Sequence, residues 1–130
     1  MKYSANKQEN FTVLSIQEDN LNAVLAPDLK SELVILKNEG VKNLIMDLEQ
    51  VQFVDSSGLS SILTANRLWA EKGSFILTGI KSESIKKLIE ISRLQNVFNI
   101  LPTVQESIDF VMLEELAKQI GAEDDAASDS

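Results

Sequence analysis

Cysteine and histidine are both missing from this chain of 130 residues. Without cysteine there is neither a disulfide nor a thiolate metal or redox site, a composition that fits a reducing cytosol. Without histidine the commonest general base, the usual zinc ligand and every Ser-His or Cys-His nucleophile pair are gone. The common hydrolytic chemistries are therefore disfavoured, and a protein that is not an enzyme is expected. The five glycines stand apart, at Gly40, Gly58, Gly73, Gly79 and Gly121, so no Walker or dinucleotide loop can form and no cofactor is expected. No apolar run approaches the roughly 20 residues that cross a bilayer. The opening residues Met1 to Lys7 have no apolar stretch behind their lysines that could act as a secretory leader, so a cytoplasmic protein is expected.

Positive charge is also scarce, with 12 bases against 20 acids and a net charge of −8. Glu123, Asp124, Asp125 and Asp129 lie beyond the last base, Lys118, and without them the body carries about −4. Such a surface repels nucleic acid and anionic lipid, so neither nucleic-acid binding nor membrane insertion is expected. At 44% hydrophobic content and this length, one core is expected rather than two. Residues 1–120 are read as the folded domain. Residues 121–130, which lack any large apolar side chain, are read as a disordered acidic tail.

Two β-rich runs open the chain, Lys2 to Lys7 and Phe11 to Gln17, and read as a hairpin. Pro27 suits a helix's first turn, and Leu29, Leu33 and Leu36 recur at helical spacing until Glu39-Gly40 ends it. The nearly continuous apolar run Val41 to Leu48 reads as a central strand buried on both faces. A helix follows over Leu59 to Glu71, with Leu59, Ile62, Leu63, Asn66 and Ala70 inward, Ser60, Ser61, Thr64 and Arg67 outward, and Trp69 near an edge. Ser74 to Thr78 is another strand. Ser82 caps a short helix with Ile85, Leu88 and Ile89 inward, and Phe98 to Leu101 is a last strand. Thr103 and Glu106 form a capping box for the final helix. Its inner stripe is Val104, Ile108, Val111 and Met112, while Phe110, Leu113, Leu116, Ala117 and Ile120 form a second apolar set. That second set either wraps the domain or serves association, with a partner or as a homodimer through this helix. The β-β-α-β-α-β-α-β-α order implies an α/β fold: a mixed sheet with four helices mainly on one face.

Between the central strand and the second helix stand Asp55, Ser56, Ser57, Gly58 and Leu59. A helix start carries unpaired N–H groups and partial positive charge, so a hydroxyl there is a suitable phosphate acceptor. Asp and Ser are equally the residues that cap helices, and both readings stand. Gly58 leaves bare backbone beside the serines. Asp47, Glu49 and Asp55 could gather Mg²⁺, but acids at a strand's carboxyl end are commonly solvated, and no metal site is expected.

The stretch from Leu44 to Leu59, with Phe53-Val54-Asp55-Ser56-Ser57-Gly58-Leu59 at its end, resembles the signature of the STAS domain of bacterial anti-sigma-factor antagonists. The segment Leu21 to Leu29 resembles the family's lead into its first helix. Asn22 stands there where many antagonists have aspartate, and the glycine often found before it is absent. The resemblance implies that Ser56, directly after the aspartate, is phosphorylated by an anti-sigma factor that is also a serine kinase, and restored by a phosphoserine phosphatase. It implies a docking surface of Asp55, Ser56, Ser57, Gly58 and Leu59 with Ser60, Ser61, Thr64, Arg67 and Asn22. An alternative implied role is a constitutive scaffold subunit, in a stress-signalling complex or the cytoplasmic part of a lipid-transport ABC system.

Overall fold

In the computed structural model, backbone is described for residues 1–128 and side chains for residues 1–121. Among the described residues the elements run β1 (Tyr3–Lys7), β2 (Thr12–Ile16), β3 (Asn20–Leu21), α1 (Ala26–Asn38), β4 (Asn43–Asp47), β5 (Phe53–Val54), α2 (Ser56–Ala70), β6 (Ser74–Thr78), α3 (Glu83–Ile91), β7 (Asn99–Leu101) and α4 (Val104–Ser128). Over the acidic tail expected at 121–130 the described backbone continues α4 through Ser128, and the side chains of 122–130 lie outside those described.

The main sheet has the order β1-β2-β4-β6-β7. A hairpin pairs β1 antiparallel to β2, with Tyr3 opposite Ile16 and Lys7 opposite Thr12. All other pairings in this sheet are parallel, through Val13 and Ile45, Ile45 and Ile76, and Ile76 and Asn99. The expected central strand is central: β4 has neighbours on both sides, and Asn43 through Met46 are buried.

Strand alternation sorts the core into two halves. Leu14, Ile16, Leu44, Met46, Phe75 and Leu77 face α1, α2 and α3, meeting Leu29, Leu33, Leu36, Ile62, Ala65, Ile85 and Ile89. Val13, Ile45 and Ile76 point the other way and meet Val111, with Val104 and Ile108 beside it. Three helices therefore share one face and α4 covers the other. Phe98, expected in the last strand, lies just before it and packs edge-on to Phe75, with ring centroids 6.3 Å apart.

The caps follow sequence logic. Ser82 Oγ accepts the Ile85 N–H at 3.3 Å, and Thr103 Oγ1 accepts that of Glu106 at 3.1 Å, while the return bond from the Thr103 N–H to the Glu106 carboxylate is not made, so the expected capping box is half formed. Inner faces follow it less well. In α2 the buried residues are Gly58, Ser61, Ile62, Ala65 and Trp69, while Ala70 is exposed. Trp69, expected near an edge, is fully buried, its indole N–H donating to the Val41 carbonyl at 3.0 Å. Met112, expected inward on α4, is exposed, because Ser107 and Val111 take the contact stripe instead. The two-residue strands β3 and β5, absent from the sequence expectation, pair in parallel, Asn20 with Phe53 and Leu21 with Val54.

Candidate functional site

The β3–β5 pair brings the Asp55 turn against the loop that leads into α1. Asp55 is the N-cap of α2: its Oδ1 accepts the Gly58 N–H at 2.8 Å and its Oδ2 accepts the Ala23 N–H at 3.1 Å. Its own N–H donates to the Leu21 carbonyl at 3.2 Å. One carboxylate thus ties the helix start to the Leu21–Ala23 loop. Asn22 shapes that loop from inside, its Oδ1 accepting the N–H groups of Val24 at 3.1 Å and Leu25 at 3.3 Å.

The helix begins at Ser56, three residues before the expected Leu59. Its first-turn N–H groups at Ser56 and Ser57 have no intrahelical acceptor, as helix geometry dictates. Ser56 is exposed, whereas Ser57 and Leu59 are half-buried and Gly58 is buried. A Cβ on Gly58 would collide with the Leu21 carbonyl oxygen, so close backbone approach is what glycine supplies here. Gly58→Ala is expected to lower stability by about 1–3 kcal/mol, through displacement of the Leu21 strand. Urea unfolding measures this, and an unchanged midpoint would contradict the close packing.

Ser56, Ser60, Thr64 and Arg67 fall at helical spacing along one face. Thr64 Oγ1 donates to the Ser60 carbonyl at 3.0 Å, an Arg67 guanidinium N–H donates to Thr64 Oγ1 at 3.4 Å, and Lys30 Nζ of α1 donates to Ser60 Oγ at 3.4 Å. Ser61, expected on this outward face, is instead fully buried, with Oγ donating to the Gly58 carbonyl at 2.6 Å. It sits more than a quarter-turn from the stripe, on the side that packs against the domain, and is not part of the exposed surface.

Two residues of this region escaped the sequence reading. Val24 is 80% exposed and Phe53 59% exposed. Phe53 immediately precedes the Val54-Asp55 step, and Val24 follows the Ala23 that bonds Asp55. Apolar residues in short loops read as core by default, so no local pattern marks them as surface.

The acids considered for Mg²⁺ are committed elsewhere. Asp47 Oδ1 accepts the Glu49 N–H at 3.0 Å, and Glu49 pairs with Lys81 at 2.7 Å. Among the described residues, no group of three or more His, Cys, Asp or Glu side chains is arranged to hold a metal ion. None of their helices is long and apolar enough to cross a membrane.

A small α/β domain with an exposed serine one residue past an aspartate N-cap, at the carboxyl side of its sheet, is the class that fold and site define together. The chain belongs to the STAS domain family, whose model matches residues 2–107. BtrV of Bordetella bronchiseptica, assigned as an anti-sigma factor antagonist, is 25% identical over 99 residues, spanning 75% of this chain and 84% of BtrV. Solved structures share the fold. An anti-sigma factor antagonist from Mycobacterium paratuberculosis matches with a TM-score of 0.77 at 19% identity, over 85% of this chain and 93% of that one. The Bacillus cell fate determinant SpoIIAA in its phosphorylated form matches with a TM-score of 0.65 at 23% identity, over 85% of this chain and 99% of that one.

Proposed function

We propose that this protein is an anti-sigma-factor antagonist, a cytoplasmic binding protein rather than an enzyme, switched at Ser56. Unphosphorylated, it binds an anti-sigma factor that is also a serine kinase and so frees a sigma factor. Phosphorylated on Ser56, it lets go, and a phosphoserine phosphatase restores it. The observation that carries this reading is the exposed Ser56 at the first turn of α2, beside an Asp55 whose two oxygens are already held by Gly58 and Ala23. Asp55 fixes the start of α2, and the Ser56 hydroxyl, with no hydrogen bond of its own among the described residues, stays open to an approaching kinase. Val24 and Phe53 supply apolar contact area next to it, the kind of anchor that carries binding energy when desolvated.

The family membership and the BtrV likeness support the same reading. The test is direct. Incubation with the cognate anti-sigma kinase and ATP should place one phosphate on the peptide containing Ser56, seen by mass spectrometry, and none on a Ser56→Ala variant. Phosphate appearing on Ser57 alone would overturn the assignment.

A constitutive subunit role is the second reading, and one observation favours it: Met112, Leu113, Leu116 and Ile120 of α4 are all exposed. Such a face suits a larger assembly or a homodimer. Co-purification with a transport ATPase, rather than a kinase, would decide for it.

A further inference from the structure

The loops entering β4 and β6 lie at the amino ends of these parallel strands, the end of the sheet opposite Ser56. A cleft of about 450 Å³ opens there, lined by Lys37, Lys42, Lys72 and Lys118, with Glu115 and Gly73 between them. Four of the chain's 12 bases thus converge on one cleft in a molecule of net charge −8. Glu115 is the one carboxylate among its described lining residues.

The convergence is built into the backbone. Gly73 has φ +98°, and a Cβ there would collide with the Lys42 carbonyl oxygen, so the two loops touch main chain to main chain. That contact sets Lys42 and Lys72 side by side despite their separation in sequence. Lys37 lies over the Trp69 ring, 5.4 Å from its centroid, and Lys118 reaches Glu115 at 3.4 Å. Lys42 and Lys72 enter no ion pair among the described residues. Asn43 anchors the one acid: its Nδ2 donates to Glu115 Oε1 at 3.0 Å and to the Asn10 carbonyl at 2.7 Å. The amide of Asn43, with Lys118 and Lys42 adding to it, holds the Glu115 carboxyl below the usual carboxylate range. Asn43 Oδ1, buried behind Gly73, has no partner among the described residues.

We propose that this cleft binds a small polyanion carrying two or more linked phosphoryl groups. Four ammonium groups against one carboxylate leave more positive charge than a single carboxylate ligand neutralises. Lysine meets phosphate oxygens as a mobile point charge, without the planar match that arginine offers carboxylates. The volume falls within the roughly 300–1,000 Å³ of small-molecule sites. The site is independent of the antagonist reading, since it shares no side chain with the Ser56 surface.

The test is titration of the full chain with inorganic pyrophosphate and, separately, with ATP, at about 150 mM salt so that diffuse attraction is screened. Backbone amide shifts should saturate, centred on Gly40, Val41 and Gly73. Lys42→Gln combined with Lys72→Gln should weaken binding at least about tenfold, the loss expected for two charge-assisted contacts. Both side chains are exposed, so this variant should melt as the wild type does. Lys118→Gln, on a different element, should weaken binding on its own, and Glu115→Gln should tighten it. Lys81→Gln, at the carboxyl end of β6, should change nothing. A third titration, with inorganic tripolyphosphate, matches the phosphate count of ATP: tighter binding of ATP than of tripolyphosphate would identify a nucleotide as the ligand, and equal binding would identify the phosphate chain itself. Shifts that fail to saturate, that spread over all lysine-bearing surface, or that survive the Lys42/Lys72 double variant would overturn the proposal.

Discussion

Phosphorylation of Ser56 should weaken the protein's grip on its anti-sigma factor by about 100-fold or more, with little change in its own fold. The phosphate adds about −1.5 to −2 charge. It does so next to Asp55, on a chain that already carries −8. In the free protein, water and the first-turn N–H groups of α2 accommodate that charge, since an anion at a helix start is stabilised by about 0.3–1 kcal/mol. In a complex the same charge must be desolvated against a surface shaped for a neutral hydroxyl, and truncating or opposing one buried charge typically shifts binding by about 2–5 kcal/mol. The repulsion therefore acts on docking and not on folding. Calorimetric titration of the phosphorylated and unphosphorylated protein against the partner measures the first effect, and thermal melting the second. Ser56→Ala should bind as the unphosphorylated protein does and never be released by ATP. Equal affinity of the two forms would remove the switch from the mechanism.

Trp69→Ala should lower stability by about 3–5 kcal/mol, the usual range for emptying a large aromatic site in a core. For a domain of this size that corresponds to a fall in melting temperature of about 10 °C or more. The indole is fully buried in the same core cluster as Leu33, Leu36 and Phe75, with Lys37 of α1 over its ring. Its removal opens a void that rigid neighbours on helix and sheet fill only in part, and it strands the Val41 carbonyl, which accepts the indole N–H at 3.0 Å. Trp69→Phe separates the two contributions, because it restores most of the volume but not the donor. It should cost less in total, about the 1–3 kcal/mol of an unsatisfied buried acceptor together with a smaller cavity. A melting temperature within a few degrees of wild type for Trp69→Ala would show that the residue is peripheral after all, as its position in the sequence pattern suggested.

That misplacement of Trp69 illustrates what periodicity can and cannot deliver. Leu59, Ile62, Leu63, Asn66 and Ala70 make an acceptable amphipathic stripe when α2 is considered alone. The helix is turned toward Gly58, Ser61, Ile62, Ala65 and Trp69 because its start is nailed down by Asp55 and because Gly58 must lie against Leu21. A buried serine is tolerated in that stripe since Ser61 Oγ spends its hydrogen on the Gly58 carbonyl of its own helix. The site itself was legible in the Asp-Ser-Ser-Gly run, because capping chemistry is local and the family signature is written in consecutive residues. Val24 and Phe53 were not, because their exposure depends on two-residue strands too short to leave a pattern.

The order of the five main-sheet strands and the four helices, the central place of β4, the caps at Asp55, Ser82 and Thr103 and the candidate serine all follow from the sequence, since each depends mostly on side chains acting on backbone within a turn or two. The rotation of α2, the pairing of Leu21 with Val54 beside the serine, the passage of α4 to the far face and the gathering of four lysines around Gly73 were settled only in three dimensions. Those features are contacts between segments far apart along the chain. Which faces meet is decided by the parallel crossovers and by the few places, Gly58 and Gly73 above all, where two backbones come close enough to exclude a side chain.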